Sequence, residues 1–264
     1  DLRWKGLLSK AELTYYNVLP QIPRAVGLPS ISDDPSVERQ SAVEASLYAA
    51  YEKGFAERWG VKAGGKAICF HNAETGASAG LLPDIAFSYD GFHAGKVVAS
   101  YGWSRQNIFY TGLSNTGLPI EFWFLSGKYA KPQYAQWVDL SYDLAFCRNM
   151  FALSVGLYGK QLFNQVEYSG DLMDMFTDSY DLSSKLLHGS GYNFGLNLML
   201  HKQSGKFTGW VSYSLGRALR RFDGLESQGW VPSNHERIHE LNAVASYKYK
   251  KWDFSGTFIF ASGL

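Results

Sequence analysis

The chain has 264 residues, with 25 Lys and Arg against 24 Asp and Glu. That balance leaves no basic footprint for a nucleic acid, and two cysteines, Cys69 and Cys147, argue against a disulfide framework or a cysteine metal site. No apolar run reaches the ~18 residues of a membrane helix, yet aromatics make up 16% of the chain, and Tyr and Trp gather where an apolar body meets a wet edge.

Lys5 to Tyr16 reads as a first strand, followed by a polar connection from Pro20 to Gln40 with four prolines. Val43, Ala45, Leu47, Ala49 and Tyr51 then alternate with Glu44, Ser46, Tyr48, Ala50 and Glu52. The composition also suits a helix, with Asp34-Pro35 as a cap, but the unbroken period of two favours a strand. A turn at Glu57–Gly60 leads to a strand over Val61–Phe70, and His71 to Leu82 reads as a long loop. Ile85, Phe87 and Tyr89 mark the next strand, Phe92–Gly95 a short turn, and Val97, Ala99, Tyr101 and Trp103 its partner. Asn107 to Lys131 reads as another long loop.

Tyr134 to Phe146 alternates again, with Asp139 and Asp143 opposite the apolar residues. A short turn at Arg148-Asn149 precedes Phe151–Leu157, and Asn164 to His188 is read as loop. The clearest hairpin follows. Tyr192, Phe194, Leu196, Leu198 and Leu200 share one face, Ser204-Gly205-Lys206 turns the chain, and Phe207, Gly209, Val211, Tyr213 and Leu215 return. After a loop from Arg221 to Arg237, Leu241–Tyr249 and Trp252–Phe260 form the last pair around Lys250-Lys251. Each arm approaches the ~9–11 residues that a tilted strand needs to cross a bilayer.

About eleven strands, joined alternately by long and short connections, describe an antiparallel membrane barrel. Glu44, Glu52, Asp139, Asp143, Asn193 and Asn197 on the second face suit a water-filled interior. A soluble all-β binding protein is the alternative at this point, since a sandwich also alternates. Asp1 is not preceded by a Met or an apolar leader, and Leu264 follows directly on a strand, so a piece of a longer protein is expected.

Several motifs dissolve on inspection. Gly76-Ala77-Ser78-Ala79-Gly80 matches a nucleophile elbow, but that motif needs a helix after it and a strand follows here, so a flexible small-residue loop is expected. Asp171, Asp174, Asp178 and Asp181 fit no calcium-loop spacing. His235 and His239 stand at helical spacing in a non-helical region. No metal, no cofactor and no catalytic residue is therefore expected. Phe122-Trp123-Phe124 with Tyr129 forms an aromatic group in a long loop; Phe122, Trp123 and Tyr129 are the candidates for ligand contact, and an aromatic girdle or loop packing is the alternative.

Gly189–Gly195, His201-Lys202, Gly205-Lys206 and Gly209–Leu215 resemble the late barrel strands of TonB-dependent outer-membrane receptors of the Bacteroidetes type. Gly229-Trp230-Val231-Pro232 with His239–Asn242, Leu113-Ser114-Asn115 with Lys131-Pro132-Gln133, and Leu82–Ile85 resemble other parts of that barrel, in the same order. Asp84, Glu236 and Ile238 depart from the pattern, where the family has Arg, Asp and Arg, which puts its local salt bridges in doubt here.

The resemblance implies that residues 1–264 are a partial barrel, roughly half of ~22 strands, with no plug domain in this chain. It implies an active importer in the outer membrane of a Gram-negative bacterium that captures a ferric chelate, a vitamin or a glycan. Its partners would be membrane lipid, the TonB complex acting through the missing plug segment, and a surface lipoprotein. A passive porin-like channel is the other membrane reading.

Overall fold

A computed structural model describes residues 2–4, 6–19, 39–93, 95–112, 121–169, 182–223, 229–233 and 236–263. In chain order the strands are β1 (Leu2–Trp4), β2 (Leu7–Val18), β3 (Gln40–Phe55), β4 (Trp59–Asn72), β5 (Gly76–Phe92), β6 (Gly95–Gln106), β7 (Ile108–Gly112) and β8 (Glu121–Leu125). Then come β9 (Gln133–Phe146), β10 (Phe151–Tyr168), the one-turn helix α1 (Leu182–Lys185), β11 (Leu186–Lys202), β12 (Phe207–Phe222), β13 (Val231–Pro232), β14 (His239–Tyr249) and β15 (Trp252–Ala261).

All but β7 and β8 join one 13-stranded sheet, in which eleven long strands, β2 to β6, β9 to β12, β14 and β15, follow one another as an antiparallel meander. The stretch that could have been a helix is β3, paired along its whole length with β2 and β4. Among the described residues the sheet does not close on itself: β1 and β2 end one side and β15 the other.

The period of two sorts the side chains into two faces. The register aligns Leu13 with Ala45 and Cys69, Leu140 with Leu157, Leu198 with Tyr213 and Leu241, and Ala243 with Phe258. Many of these residues are exposed, Leu13 at 76% among them, so none of the described residues covers the apolar face. From Trp252 to Phe260 it runs eight residue steps, ~27 Å along the strand and about 20 Å in height at a ~40° tilt, close to an outer-membrane apolar band.

Aromatic pairs gather on that face at the short-turn end, with Trp59 4.6 Å from Tyr89 and Phe146 5.4 Å from Phe151. The opposite face is polar. There Lys62 Nζ lies 2.8 Å from Asp84 Oδ2, and the Tyr48 hydroxyl donates to the same oxygen at 2.6 Å. Asp84 thus has a salt bridge of its own despite its departure from the family pattern. Glu236 likewise pairs with Arg217 at 3.0 Å and accepts the Ala218 amide at 2.7 Å. Both Cys69 and Cys147 are free thiols.

Two connections differ from their reading as long loops. His71 to Leu82 is mostly strand: the chain turns over residues 73–75, and the Glu74 amide donates to Asn72 Oδ1 at 2.9 Å. Small residues returning on β5 make this possible, because Ser78 and Gly80 lie beside Phe70 and Ile68 and leave room for them. The Gly76–Gly80 segment is therefore β-sheet rather than a flexible loop, and the long–short alternation of connections breaks here.

The second difference is the hairpin β7–β8 inside Asn107–Lys131. It forms where the sheet has parted. The β5–β6 ladder ends at Asp84 and Gly102, one residue short of Pro83, which has no N–H to donate.

Candidate functional site

The β7–β8 hairpin lies at the long-loop end of the sheet, and both of its faces are apolar. Ile108 and Leu125 are paired on one face, Phe109 and Phe124 on the other. Five residues per strand are too few to stand alone in water, so the hairpin holds its shape by docking on two sides. Leu125 packs with Ala42 and Phe70, and Tyr16, Val18 and Ile108 close around them, all but the hairpin residues belonging to β2–β4. Phe109, Phe122 and Phe124 pack with Ala130, Tyr168 and Leu186, the last two from the ends of β10 and β11. Sheet order separates these two walls by β5, β6 and β9, so the hairpin ties together parts of the sheet that are not neighbours.

Amide side chains hold the base of the hairpin in place. Gln40 Oε1 accepts the Leu125 amide at 2.8 Å, and Asn72 Nδ2 donates to the Ser126 carbonyl at 2.9 Å. Asn107 Nδ2 donates to Glu44 at 2.8 Å, while Asn107 Oδ1 accepts from Arg105 Nε at 2.8 Å. Arg105 reaches on across the parted strands to Ser78 Oγ at 2.5 Å. Gln40, Asn72, Asn107 and Ser126 are all buried. Buried amides of this kind need complementary partners, so they set one docked position in a way that apolar contact alone does not.

The three aromatic candidates separate. Phe122 is 4% exposed and belongs to the core, edge-on to Tyr168 at 5.8 Å. Trp123 is 46% exposed and sits against Tyr110, 51% exposed, with ring centroids 4.5 Å apart. The alternation of β8 accounts for the split, since Phe122 and Trp123 are neighbours in sequence and must face opposite ways. Tyr110 was not singled out from the sequence; only the hairpin register pairs it with Trp123. Its hydroxyl donates to the Glu121 carboxylate. That hydrogen bond, with some desolvation and the nearby negative charge, raises the phenol above its ordinary range.

Tyr129 is half-buried against the Phe109–Phe124 cluster, and it lines a recess of about 490 Å³ with Lys128, Lys131, Asn164, His188 and Asp223. On the polar face of the sheet, a second recess of about 520 Å³ is lined by Asp139, Lys160, Asn193, Asn197, Arg237 and Glu240 among others. Among the described residues no group of three or more His, Cys, Asp or Glu is placed to hold a metal. Asp171, Asp174, Asp178, Asp181, His235 and Leu113-Ser114-Asn115 lie outside the described residues. The Gly229–Pro232 segment folds back, with Val231 and Pro232 pairing with Arg220 and Leu219 and Trp230 resting 5.0 Å from Tyr192.

No sequence-family model matches the chain, and no curated protein matches it in sequence. Solved structures do match in fold. The ferripyoverdine receptor of the outer membrane of Pseudomonas aeruginosa is 14% identical with a TM-score of 0.63, over 94% of this chain and 34% of the receptor. The FrpB iron transporter of Neisseria meningitidis is 12% identical with a TM-score of 0.61, over 97% of this chain and 40% of the transporter. The alcaligin outer-membrane receptor FauA of Bordetella pertussis is 12% identical with a TM-score of 0.57, over 97% of this chain and 47% of that receptor. At these identities the likeness is one of fold, and the chain spans less than half the length of each of these proteins. The fold is thus that of a portion of the barrels in these structures.

Proposed function

We propose that this chain is the barrel portion of a TonB-dependent importer in the outer membrane of a Gram-negative bacterium. The observation that carries the reading is the long antiparallel meander with one continuous exposed apolar face and one polar face. Exposed apolar surface on this scale calls for an apolar surround, and a spanning sheet leaves its second face for a polar interior.

The eleven long strands among the described residues are about half of the ~22 of the largest outer-membrane transporters. Open edges are not tolerated in lipid, so further strands of the same protein complete the barrel, and the plug and its TonB contact belong to that remainder. The cargo is a scarce nutrient of the ferric chelate, vitamin or glycan class. Trp123 with Tyr110 and the recess at Tyr129 meet it at the outer mouth, and Phe122 supports them from behind. The barrel does no bond-making chemistry. It supplies the outer wall, the polar lumen and the capturing loops.

The test is nutrient uptake by cells that express the whole receptor, with deletion strains grown on limiting iron chelates, cobalamin or oligosaccharides. Uptake that stops when TonB is deleted or the proton gradient is collapsed supports the importer. Uptake that persists unchanged makes the protein a passive channel, and recovery of the protein in the soluble fraction would sink both membrane readings.

A further inference from the structure

We propose that the outer wall of the barrel holds one membrane lipid at its acyl linkage: the Gln136 and Gln161 amides take the linkage carbonyl, and the acyl chain lies in the apolar groove beside them. The inference goes beyond the importer reading and rests on it only in placing this face in a membrane.

Three cross-strand rows of the apolar face build the site. In the first, Ala99, Leu140, Leu157, Leu196 and Leu215 stand side by side. In the next, toward the long-loop end, Tyr101, Val138, Gly159 and Phe194 are aligned. Gly159 leaves a gap between Val138 and Phe194, whose side chains are about half exposed. The third row is Trp103, Gln136, Gln161 and Tyr192. Two amides thus stand where the alternation of β9 and β10 places apolar side chains lower down.

Residues of the first two rows line a groove of about 830 Å³. Residues of the second and third rows line a recess of about 270 Å³, which shares Val138, Gly159 and Phe194 with the groove. Trp137, Lys160 and Asn193 also border the recess, but they form the row between and alternate to the polar face.

Hydrogen bonds fix the amides in place. Trp103 Nε1 and Gln136 Nε2 both donate to the Tyr101 hydroxyl, at 2.6 and 2.8 Å, and Gln161 Nε2 donates to the Tyr192 hydroxyl at 3.2 Å. Each amide has a second N–H, which finds no partner among the described residues.

Depth in the membrane decides what that N–H meets. From Phe151, at the short-turn end, to Gln161 is ten residue steps, ~33 Å along the strand and about 25 Å in height at a ~40° tilt, which is the height of the apolar band. Trp103 stacked on Phe163 at 6.1 Å and Tyr192 beside Trp230 at 5.0 Å flank the pair, as aromatic rings do at a membrane interface. An N–H that faces hydrocarbon without an acceptor is costly. At this level a lipid passes from chain to linkage, and its ester carbonyl is a neutral acceptor with an apolar chain attached below.

The experiment is native mass spectrometry of the whole detergent-purified receptor, titrated with diacyl phosphatidylethanolamine and with its dialkyl ether analogue, which has the same chains and headgroup but no linkage carbonyl. The parent should retain the ester lipid about fivefold more tightly, the effect of one neutral hydrogen bond. Gln136→Leu with Gln161→Leu should bring the two lipids level. A Cβ on Gly159 meets only Val138 Cγ2, at an ordinary 3.5 Å, so Gly159→Leu should fold and, by filling the gap, weaken both lipids. Circular dichroism and heat-modifiable mobility confirm that each variant keeps its sheet.

Equal retention of ester and ether lipid by the parent overturns the site. So does an ester preference that survives loss of both amides, or lipid retention that Gly159→Leu leaves unchanged. Energised uptake by a receptor with no ester preference would remove the lipid site and leave the importer intact. An ester preference in a receptor whose uptake ignores TonB would do the reverse.

Discussion

Replacing Asn72 by Ala should release the β7–β8 hairpin while leaving the sheet folded. In the native chain Asn72 is fully buried; its Nδ2 bonds the Ser126 carbonyl and its Oδ1 accepts the Glu74 amide, both at 2.9 Å. Glu74 is on an exposed turn and can exchange its lost partner for water. Ser126 is 2% exposed and cannot, so its carbonyl bears the desolvation cost of an orphaned acceptor, about 1–3 kcal/mol. That cost falls on the docked hairpin and should raise its local opening by about 5- to 150-fold.

Hydrogen–deuterium exchange on the whole receptor reads this directly, because local opening and global unfolding leave different amides protected. Amides of β7 and β8 should exchange faster by that factor, and those of β9 to β11 at the parent rate. Unchanged exchange in β7 and β8 would show that the amide clamp does not hold the hairpin. Equal acceleration in every strand would show that the hairpin does not open separately.

Phe122→Ala should cost about 3–5 kcal/mol as a buried aromatic truncation and lower the hairpin's melting temperature, whereas Trp123→Ala should leave that temperature unchanged and weaken ligand binding if the exposed ring pair is used for capture. A differential thermal scan that ranks the two the other way would contradict the assignment of faces. Leu140→Arg, on the apolar face, should cost up to about 2–4 kcal/mol near the bilayer midplane. Ser141→Arg, on the polar face, should cost far less, and folding yield into liposomes distinguishes them. Tyr110, held above its ordinary phenol range by Glu121, favours its neutral form in the folded hairpin. Its contribution is complete below the unfolded tyrosine pKa and is lost as pH rises through the raised folded value. Alkaline loosening of the hairpin tip should therefore disappear in Tyr110→Phe, as read by exchange of the Gly112 amide.

The strands and their faces were legible because a period of two survives any tertiary arrangement: Tyr192 to Leu200 and Trp252 to Phe260 declare a sheet surface wherever that sheet sits. The polar residues between them announced the second face for the same reason. What the local pattern could not carry was contact at a distance. Gly76–Gly80 reads as loop because small residues are weak strand formers alone, and they become strand only beside Phe70 and Ile68. The β7–β8 hairpin is five residues a side, stable only against β2–β4 and the ends of β10 and β11. Phe122 and Trp123 could be recognised as an aromatic group from their order in the chain, but which ring is core and which is surface depends on two walls that are distant in sequence, one of them bonded across 54 positions by Asn72 and Ser126. Periodicity is a property of neighbours along the chain, whereas burial belongs to the packed whole, and the candidate site is built almost entirely from burial.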